Sequence, residues 1–264
     1  MRAAVFKGVG QPLVVETIDD PAPGPHQLLL KVHHCGVCGS DLHMTEAHSI
    51  QPLPAGSVMG HEFSGEILGV GTALKGKFRE GQRVAGFPYI QCGVCDACRR
   101  GDLTFGACTG AVGIGLGQHH GAYAELVTIG GNGAHLLPDI VSFEEGALVE
   151  PLAVGLHAVD MAKMERGATV LVVGAGPVGL AVMLWARFLG ARHVIVSEMA
   201  ENRRATAARF GATDAIDPKK PLTPQVEAIA GKGPDIIFEC VGAPGLLNAV
   251  MMEAPRGAKI VVAG

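Results

Sequence analysis

Three groups of side chains in this sequence have the types and the spacing of chemistry. Cys35-Gly36-Val37-Cys38-Gly39-Ser40-Asp41-Leu42-His43 brings two thiols, a hydroxyl, a carboxylate and an imidazole into one short stretch, a density suited to holding a metal ion. Further on, Cys92, Cys95 and Cys98 follow C-x2-C-x2-C, and Cys108 is the next cysteine along. Four thiolates in a short loop make a closed tetrahedral zinc site, whose contribution is folding energy rather than catalysis. Asp96, Arg99, Arg100 and Asp102 mark that loop as solvated, which argues against four incidental core cysteines. The third group, Gly174-Ala175-Gly176-Pro177-Val178-Gly179, fits G-x-G-x-x-G.

That glycine pattern gains its meaning from context. The apolar run Thr169 to Val173 leads in as a strand, a helix leads out, and Glu198 ends the next strand at the interval where an acidic residue meets a ribose. The first glycine permits the tight turn, the second lets the backbone approach a pyrophosphate, and the third lets helix and strand pack closely. Pro177 and Val178 open the helix, whose first N–H groups and positive dipole end face the phosphates. Glu198 accepts from ribose hydroxyls and repels a 2′-phosphate, so NAD is favoured over NADP; Arg203 and Arg204 keep NADP open.

A catalytic zinc takes three protein ligands and leaves one position open. Once the four-cysteine loop is set aside, the candidates are Cys38, His61 with its neighbour Glu62, and Glu150, from three separate loops. Spacing alone does not bring them together.

Two kinds of scaffold must position these groups. From Met1 to about Ala134 short β-like runs, Leu28 to His33, Gly65 to Leu68, Arg83 to Ala85 and Ala122 to Val127, are separated by Gly and Pro, with no long amphipathic helix between them. From about Val141 the texture becomes an alternation of strands and helices. Strands are expected at Thr169 to Val173, His193 to Val196, Asp214 to Ile216, Asp235 to Glu239 and Ala258 to Val262, and helices at Pro177 to Leu189, Asn202 to Phe210 and Thr223 to Ala230. That order predicts an α/β chain in which a β-rich region, 1–150, precedes a parallel, doubly wound sheet in 151–264. The sheet ends at an apolar strand, one short of a six-stranded dinucleotide fold, so a C-terminally truncated chain is expected.

Composition narrows the function. With 264 residues and a net charge of -4 in mixed signs, the chain has a sizeable core and no basic stripe, which disfavours nucleic acid and points to small-molecule partners. No run approaches a membrane span and the N-terminus lacks an apolar signal core, so a cytoplasmic protein is expected. Seven cysteines, three of them evenly spaced, argue for metal ligation over disulfides.

Taken in order, Cys38-Gly39-Ser40-Asp41-Leu42-His43, Gly60-His61-Glu62-Phe63-Ser64-Gly65, the three-cysteine loop, Glu150-Pro151-Leu152-Ala153 and the glycine fingerprint resemble the zinc-dependent medium-chain alcohol dehydrogenases, closest to the polyol, butanediol and threonine dehydrogenase branch. The resemblance spans nearly the whole chain. It implies a GroES-like catalytic domain, 1–150, followed by a Rossmann NAD(P)-binding domain, 151–264, with zinc and nicotinamide meeting in the cleft between them. It also implies that Cys38 and His61 ligate the catalytic zinc, that Glu150 or Glu62 supplies a carboxylate, and that Asp41 orients His61. Ser40 and His43 would then relay the alcohol proton to solvent, and a full-length relative would be a homo-oligomer. Bland roles remain open: Ser40 as a helix cap, His43 as an ordinary loop residue, Glu150 as an outer carboxylate, Cys35 and Cys240 as packing. The family's fourth structural cysteine falls at Gly106, whereas this chain has Cys108. Residues between His43 and Gly60, with Phe87, Tyr89, His119 and His120, are candidates for the pocket wall.

The function implied is hydride transfer between a secondary alcohol, diol or polyol and NAD; a zinc-free quinone reductase and a non-catalytic nucleotide-binding or zinc-stabilised module are the alternatives. Measured Michaelis constants are expected to favour NAD strongly over NADP, and a large preference for NADP would overturn the role given to Glu198.

Overall fold

The computed structural model describes residues 1–46, 49, 53–102 and 106–264, which divide into two compact units, Met1–Glu150 and Pro151–Gly264. The first unit holds strands β1 (Arg2–Val5), β2 (Val14–Thr17), β3 (Gln27–Cys35), β4 (Phe63–Val70), β5 (Arg83–Gly86), β6 (Tyr89–Ile90), β7 (Val112–Gly113), β8 (Leu126–Gly130) and β9 (Ala134–Leu136). Its helices are short: α1 (Gly39–His43), α2 (Asp96–Arg99) and α3 (Phe143–Ala147). A longer helix, α4 (Val149–Ala162), starts at the end of this unit. The second unit then alternates β10 (Thr169–Val173), α5 (Pro177–Phe188), β11 (His193–Ser197), α6 (Glu201–Arg209), β12 (Asp214–Ile216), α7 (Leu222–Ala230), β13 (Ile236–Glu239), α8 (Leu246–Glu253) and β14 (Lys259–Val262).

In the first unit an antiparallel sheet of order β8-β3-β4-β5-β9 carries the core. Alternation along β3 and β4 turns Leu28, Leu30, Phe63 and Ile67 inward, where they pack with Val84, Ile114, Val127 and Ile129. The β3–β4 ladder runs from Leu28 opposite Val70 to Cys35 opposite Phe63. Antiparallel pairing therefore sets the chain leaving Cys35 beside the chain arriving at Phe63. The buried Ser64 hydroxyl donates to the Phe143 carbonyl and fastens α3 to this ladder. A capping box, Ser142 with Glu145, starts α3.

The second unit is a parallel sheet of order β12-β11-β10-β13-β14, with all five expected strands within a residue or so of their places. β10 is buried along its whole length and β13 likewise, as strands covered on both faces must be. Ala181, Val182, Met183 and Ala186 of α5 seal one face with Val170 and Val172, while Leu171, Ile195 and Ile237 meet Val226 and Val250 on the other.

Some expectations require correction. The run expected as a strand from Ala122 joins the sheet only at Leu126, because Ala122 and Tyr123 pair their N–H groups with Gly60 and Met59 instead. α4 and α8 were not expected: α4 carries Glu150-Pro151 in its first turn, where Pro is tolerated because its missing N–H has no helical partner.

Ser64→Ala leaves the Phe143 carbonyl short of its donor and is expected to lower stability by about 1–2 kcal/mol, read as a lower urea midpoint with an unchanged slope.

Candidate active site and metal centres

The β3–β4 register does the first part of the assembly. Past β3 the chain turns at Gly36, whose N–H donates to the Glu62 carbonyl (2.7 Å), and a Cβ on Gly36 would lie 2.2 Å from Glu62 Oε2. Gly36 leaves that space to the Glu62 carboxylate. Cys38 then caps α1 in extended conformation, and Asp41, at the third helical position, reaches back to accept the Cys38 N–H at 2.9 Å. The cap of this helix is thus Cys38, which corrects the reading of Ser40 as a cap.

Before β4, Gly60 has φ +95, a left-handed conformation, and swings His61 and Glu62 toward α1. One ligating atom each from Cys38, His61 and Glu62 lies within 4.8 Å of the other two. His61 and Glu62 are 6% and 8% exposed, so this is an interior cluster and not a surface one. His61 Nδ1 faces Asp41 Oδ1 at 3.5 Å, and Ser40 Oγ lies 3.4 Å from His61 Nε2. His43 points outward and pairs with Glu46 at 3.6 Å.

The charges of this cluster are unbalanced without a cation. Burial raises the Glu62 carboxyl, outweighing the nearby His61. Burial likewise pushes Glu150 up to about 7, with Glu62 and Asp41 adding repulsion and His61 only partly offsetting it. Burial alone would discharge His61, yet Asp41 and Cys38 together carry it up to about 10. Burial works against ionised Asp41 too, but His61, the Cys38 N–H and the Tyr123 hydroxyl hold it below the ordinary carboxylate range. Acidic groups crowded around one imidazole suit a divalent cation, which would replace the proton on His61.

Glu150 sits in the first turn of α4 and not in a loop, a correction to the sequence reading. It shares the charge field of His61 and Glu62 but stands outside the three-residue group. Cys35 packs against the sheet core beside Glu62, and burial raises its thiol to about 12, as for a packing residue.

The structure brings the four loop cysteines together. Sγ separations are 3.5 Å for Cys95–Cys98, Cys98–Cys108 and Cys108–Cys92, and 3.9 Å for Cys92–Cys98. Zinc–sulfur bonds of about 2.3 Å in a tetrahedron put sulfurs roughly 3.8 Å apart, so the set fits zinc. Cys108 is the fourth member although the family pattern puts a cysteine at Gly106, because α2 and the turn 106–110 fold it back onto Cys92. Backbone donors at Val94 and Cys95 draw the Cys92 thiol down to about 6, in keeping with a ligand that must ionise.

In the second unit Gly174 has φ +103, and a Cβ on Gly179 would meet the Gly174 carbonyl at 2.0 Å. Gly176 caps α5, Pro177 takes its first turn, and Val178 packs on the sheet core. Glu198 Oε2 accepts the Ala175 N–H at 3.0 Å and Oε1 accepts the Ala200 N–H at 2.9 Å. Burial opposes its charge, but these donors and Arg203 keep Glu198 below its ordinary value. Arg203 itself is exposed; Arg204 is the arginine held at this loop, through the carbonyls of Glu198 (2.6 Å) and Met199 (2.7 Å).

Two contributors escaped the sequence reading. Glu239 is 2% exposed and accepts the N–H groups of Val241 (2.7 Å) and Gly242 (3.0 Å), shaping the turn after β13. Tyr123 donates to Asp41 Oδ2 at 2.8 Å, and its only signal was that the chain has two tyrosines. Of the stretch expected to shape the pocket, residues 47, 48 and 50–52 lie outside the described residues.

These features define a class: a β-rich unit with two sets of side chains able to hold a metal, and a parallel sheet with a glycine turn of the dinucleotide type. Residues 24–139 match the alcohol dehydrogenase GroES-like domain and residues 177–264 the zinc-binding dehydrogenase family. Sorbitol dehydrogenase of Bacillus subtilis (strain 168) is 32% identical over 100% of this chain and 75% of its own length. The structure of 2R,3R-butanediol dehydrogenase from Bacillus subtilis matches with a TM-score of 0.85 and 31% identity, over 99% of this chain and 76% of that one. An NADP-bound structure from Sinorhizobium meliloti 1021, assigned to the zinc-binding dehydrogenases, matches with a TM-score of 0.88 and 33% identity, over 100% and 76%. The chain belongs to the zinc-dependent medium-chain alcohol dehydrogenase family, and it is an oxidoreductase.

Native mass spectrometry is expected to count two zinc ions on the parent chain and one on Cys108→Ser. A Cys108→Ser protein that still held two would remove Cys108 from the metal set.

Proposed function

We propose that this chain oxidises a secondary alcohol, diol or polyol with NAD, using Cys38, His61 and Glu62 to hold a catalytic zinc and Cys92, Cys95, Cys98 and Cys108 to hold a structural one. The observation that carries the reading is the convergence of Cys38, His61 and Glu62 within 4.8 Å from segments on either side of the β3–β4 ladder. Three protein ligands with a remaining open position are the donor set of a catalytic rather than a structural zinc. When bound there, zinc would polarise the substrate oxygen and lower the pKa of an alcohol toward neutrality.

The chain's own residues supply the rest. Burial raises the Glu62 carboxyl, and a cation in the set would favour its ionised, ligating form. Asp41 accepts the Cys38 N–H and faces His61, so one buried carboxylate indexes two ligands. Oxidation removes a hydride from carbon and a proton from oxygen. Ser40 Oγ, next to the ring nitrogen of His61, accepts that proton as it passes its own outward, and exposed His43 on the same short helix hands it to water. Glu150 stays outside the ligand set as a nearby carboxylate, able to hold a proton near neutral pH.

For the cofactor, the turn from Gly174 to Gly179 and the first N–H groups of α5 cradle a pyrophosphate. Glu198, anchored by Ala175 and Ala200, keeps acceptor capacity for ribose hydroxyls and presents negative charge where NADP would bring a phosphate. This supports NAD. The reading of 1–150 as the catalytic domain and 151–264 as the cofactor domain is supported by the division into compact units at Glu150 and Pro151. No helix among the described residues is long and apolar enough to cross a membrane.

Cys38→Ala is expected to abolish NADH formation from a panel of secondary alcohols and polyols while NAD binding, followed by calorimetry, stays close to that of the parent. Normal kcat in that variant, or in parent protein stripped by a chelator, would overturn the mechanism.

A further inference from the structure

Asp41 is 2% exposed and holds four relationships at once: it accepts the Cys38 N–H, faces His61 Nδ1, accepts the Tyr123 hydroxyl, and belongs to the helix that carries Ser40. Three of those lie inside the cluster already described. The Tyr123 hydroxyl comes from a distant segment, and nothing in the function so far uses it.

Tyr123 is unusually well anchored. Its N–H donates to the Met59 carbonyl (2.9 Å), and its own carbonyl accepts the Ala4 N–H (2.8 Å). The residue before it donates to the Gly60 carbonyl at 2.8 Å. The ring lies against Gly60, where an added Cβ would meet it at 2.6 Å, and packs beside Phe6, Met44 and Met59. A phenol held this way has a fixed reach. Its oxygen stands 2.8 Å from Asp41 Oδ2 and 3.1 Å from the Gly36 carbonyl.

Those two acceptors are the ends of the turn that delivers Cys38. The phenol has one proton, and the ionised carboxylate is the stronger acceptor. Asp41 Oδ2 therefore receives both Tyr123 O–H and Cys38 N–H, which fixes the carboxylate plane and leaves Oδ1 aimed at the His61 ring. A carboxylate free to rotate would lose that aim. The same tyrosine backs Gly60, the residue just before His61, so it constrains the ligand from both its backbone and its ring side.

We infer that Tyr123 is a positioning residue for the catalytic metal site, acting through Asp41 to fix the Cys38 backbone and the His61 imidazole and so setting the affinity and geometry of the Cys38, His61 and Glu62 set. This rests on the ligand set proposed above. The four-cysteine site has no part in the contact and is an internal control.

The test is zinc competition against a chelator series, with cobalt(II) absorption as a second readout, on the parent, Tyr123→Phe, Asp41→Asn and the double variant. Phe keeps the ring against Gly60 and removes only the hydroxyl, and circular dichroism of the metal-free protein checks the fold. Tyr123→Phe is expected to weaken one of two zinc ions by about 10–100-fold, the usual cost of losing an outer hydrogen-bond partner, with the four-cysteine ion unchanged. The ligand-field bands of cobalt at the weakened site should shift, which a change in overall stability would not cause. Asp41→Asn reaches the same hydrogen bond from its other end and should weaken the same ion. In the double variant the loss should fall well short of the product of the two single losses. Parent-like affinity and spectrum in Tyr123→Phe, or losses that simply multiply, overturn the proposal and leave the ligand set standing. A parent chain that takes up zinc only at its four loop cysteines overturns both together.

Discussion

The antiparallel pairing of β3 with β4 is the constraint on which the Cys38, His61 and Glu62 cluster depends. Because Cys35 lies opposite Phe63, the chain leaving one strand and the chain entering the other emerge side by side. The proposed metal set and its outer carboxylate then lie within a few residues of that point: Cys38 and Asp41 on one side, His61 and Glu62 on the other. The pairing itself is held by an inward row of Leu28, Leu30, Phe63 and Ile67, fully or almost fully buried. A slip of one residue would turn that row to solvent and separate the clustered side chains, so the same hydrophobic alternation that stabilises the sheet also sets the cluster's geometry.

Given that frame, the site is a problem of buried charge. Asp41, His61 and Glu62 are all less than a tenth exposed, and ionised side chains at that depth are costly unless paired. The fold answers with directed donors: the Cys38 N–H and Tyr123 O–H on Asp41, and the imidazole between Asp41 and Cys38. Asp41 Oδ1 and His61 Nδ1 nonetheless face each other at 3.5 Å without a formed hydrogen bond. A set that stays short of satisfaction on its own, with burial raising Glu62 and Glu150, is better suited to a cation than to the metal-free state.

The cofactor turn follows a related logic with the backbone as partner. Glu198 is tied to Ala175 inside the glycine turn, and Glu239 at the end of the neighbouring strand β13 is tied to Val241 and Gly242. Two carboxylates thus satisfy N–H groups at the carboxyl ends of adjacent strands, the edge at which open α/β sheets bind ligands. Each acid secures a loop that has no regular structure to secure it.

The sequence by itself determined a great deal of this protein. Its strand–helix alternation, the glycine turn, the even cysteine spacing and the ordered motifs were legible because each is local: a period, a φ requirement or a run of ligands close in the chain. Asp214 to Ile216 was read to the residue, and three members of the four-cysteine loop were legible from their spacing, while the place of Cys108 was decided by the fold. Tertiary structure alone decided what depends on distant segments meeting. It put Glu62 rather than Glu150 with Cys38 and His61, made Cys38 and not Ser40 the cap of α1, and bonded Arg204, of the two arginines the sequence offered, to the loop beside Glu198. It also brought Tyr123 to Asp41 across the unit. No periodicity encodes such a contact, because it is fixed by strand register and by where two backbones pass close enough for only glycine to fit.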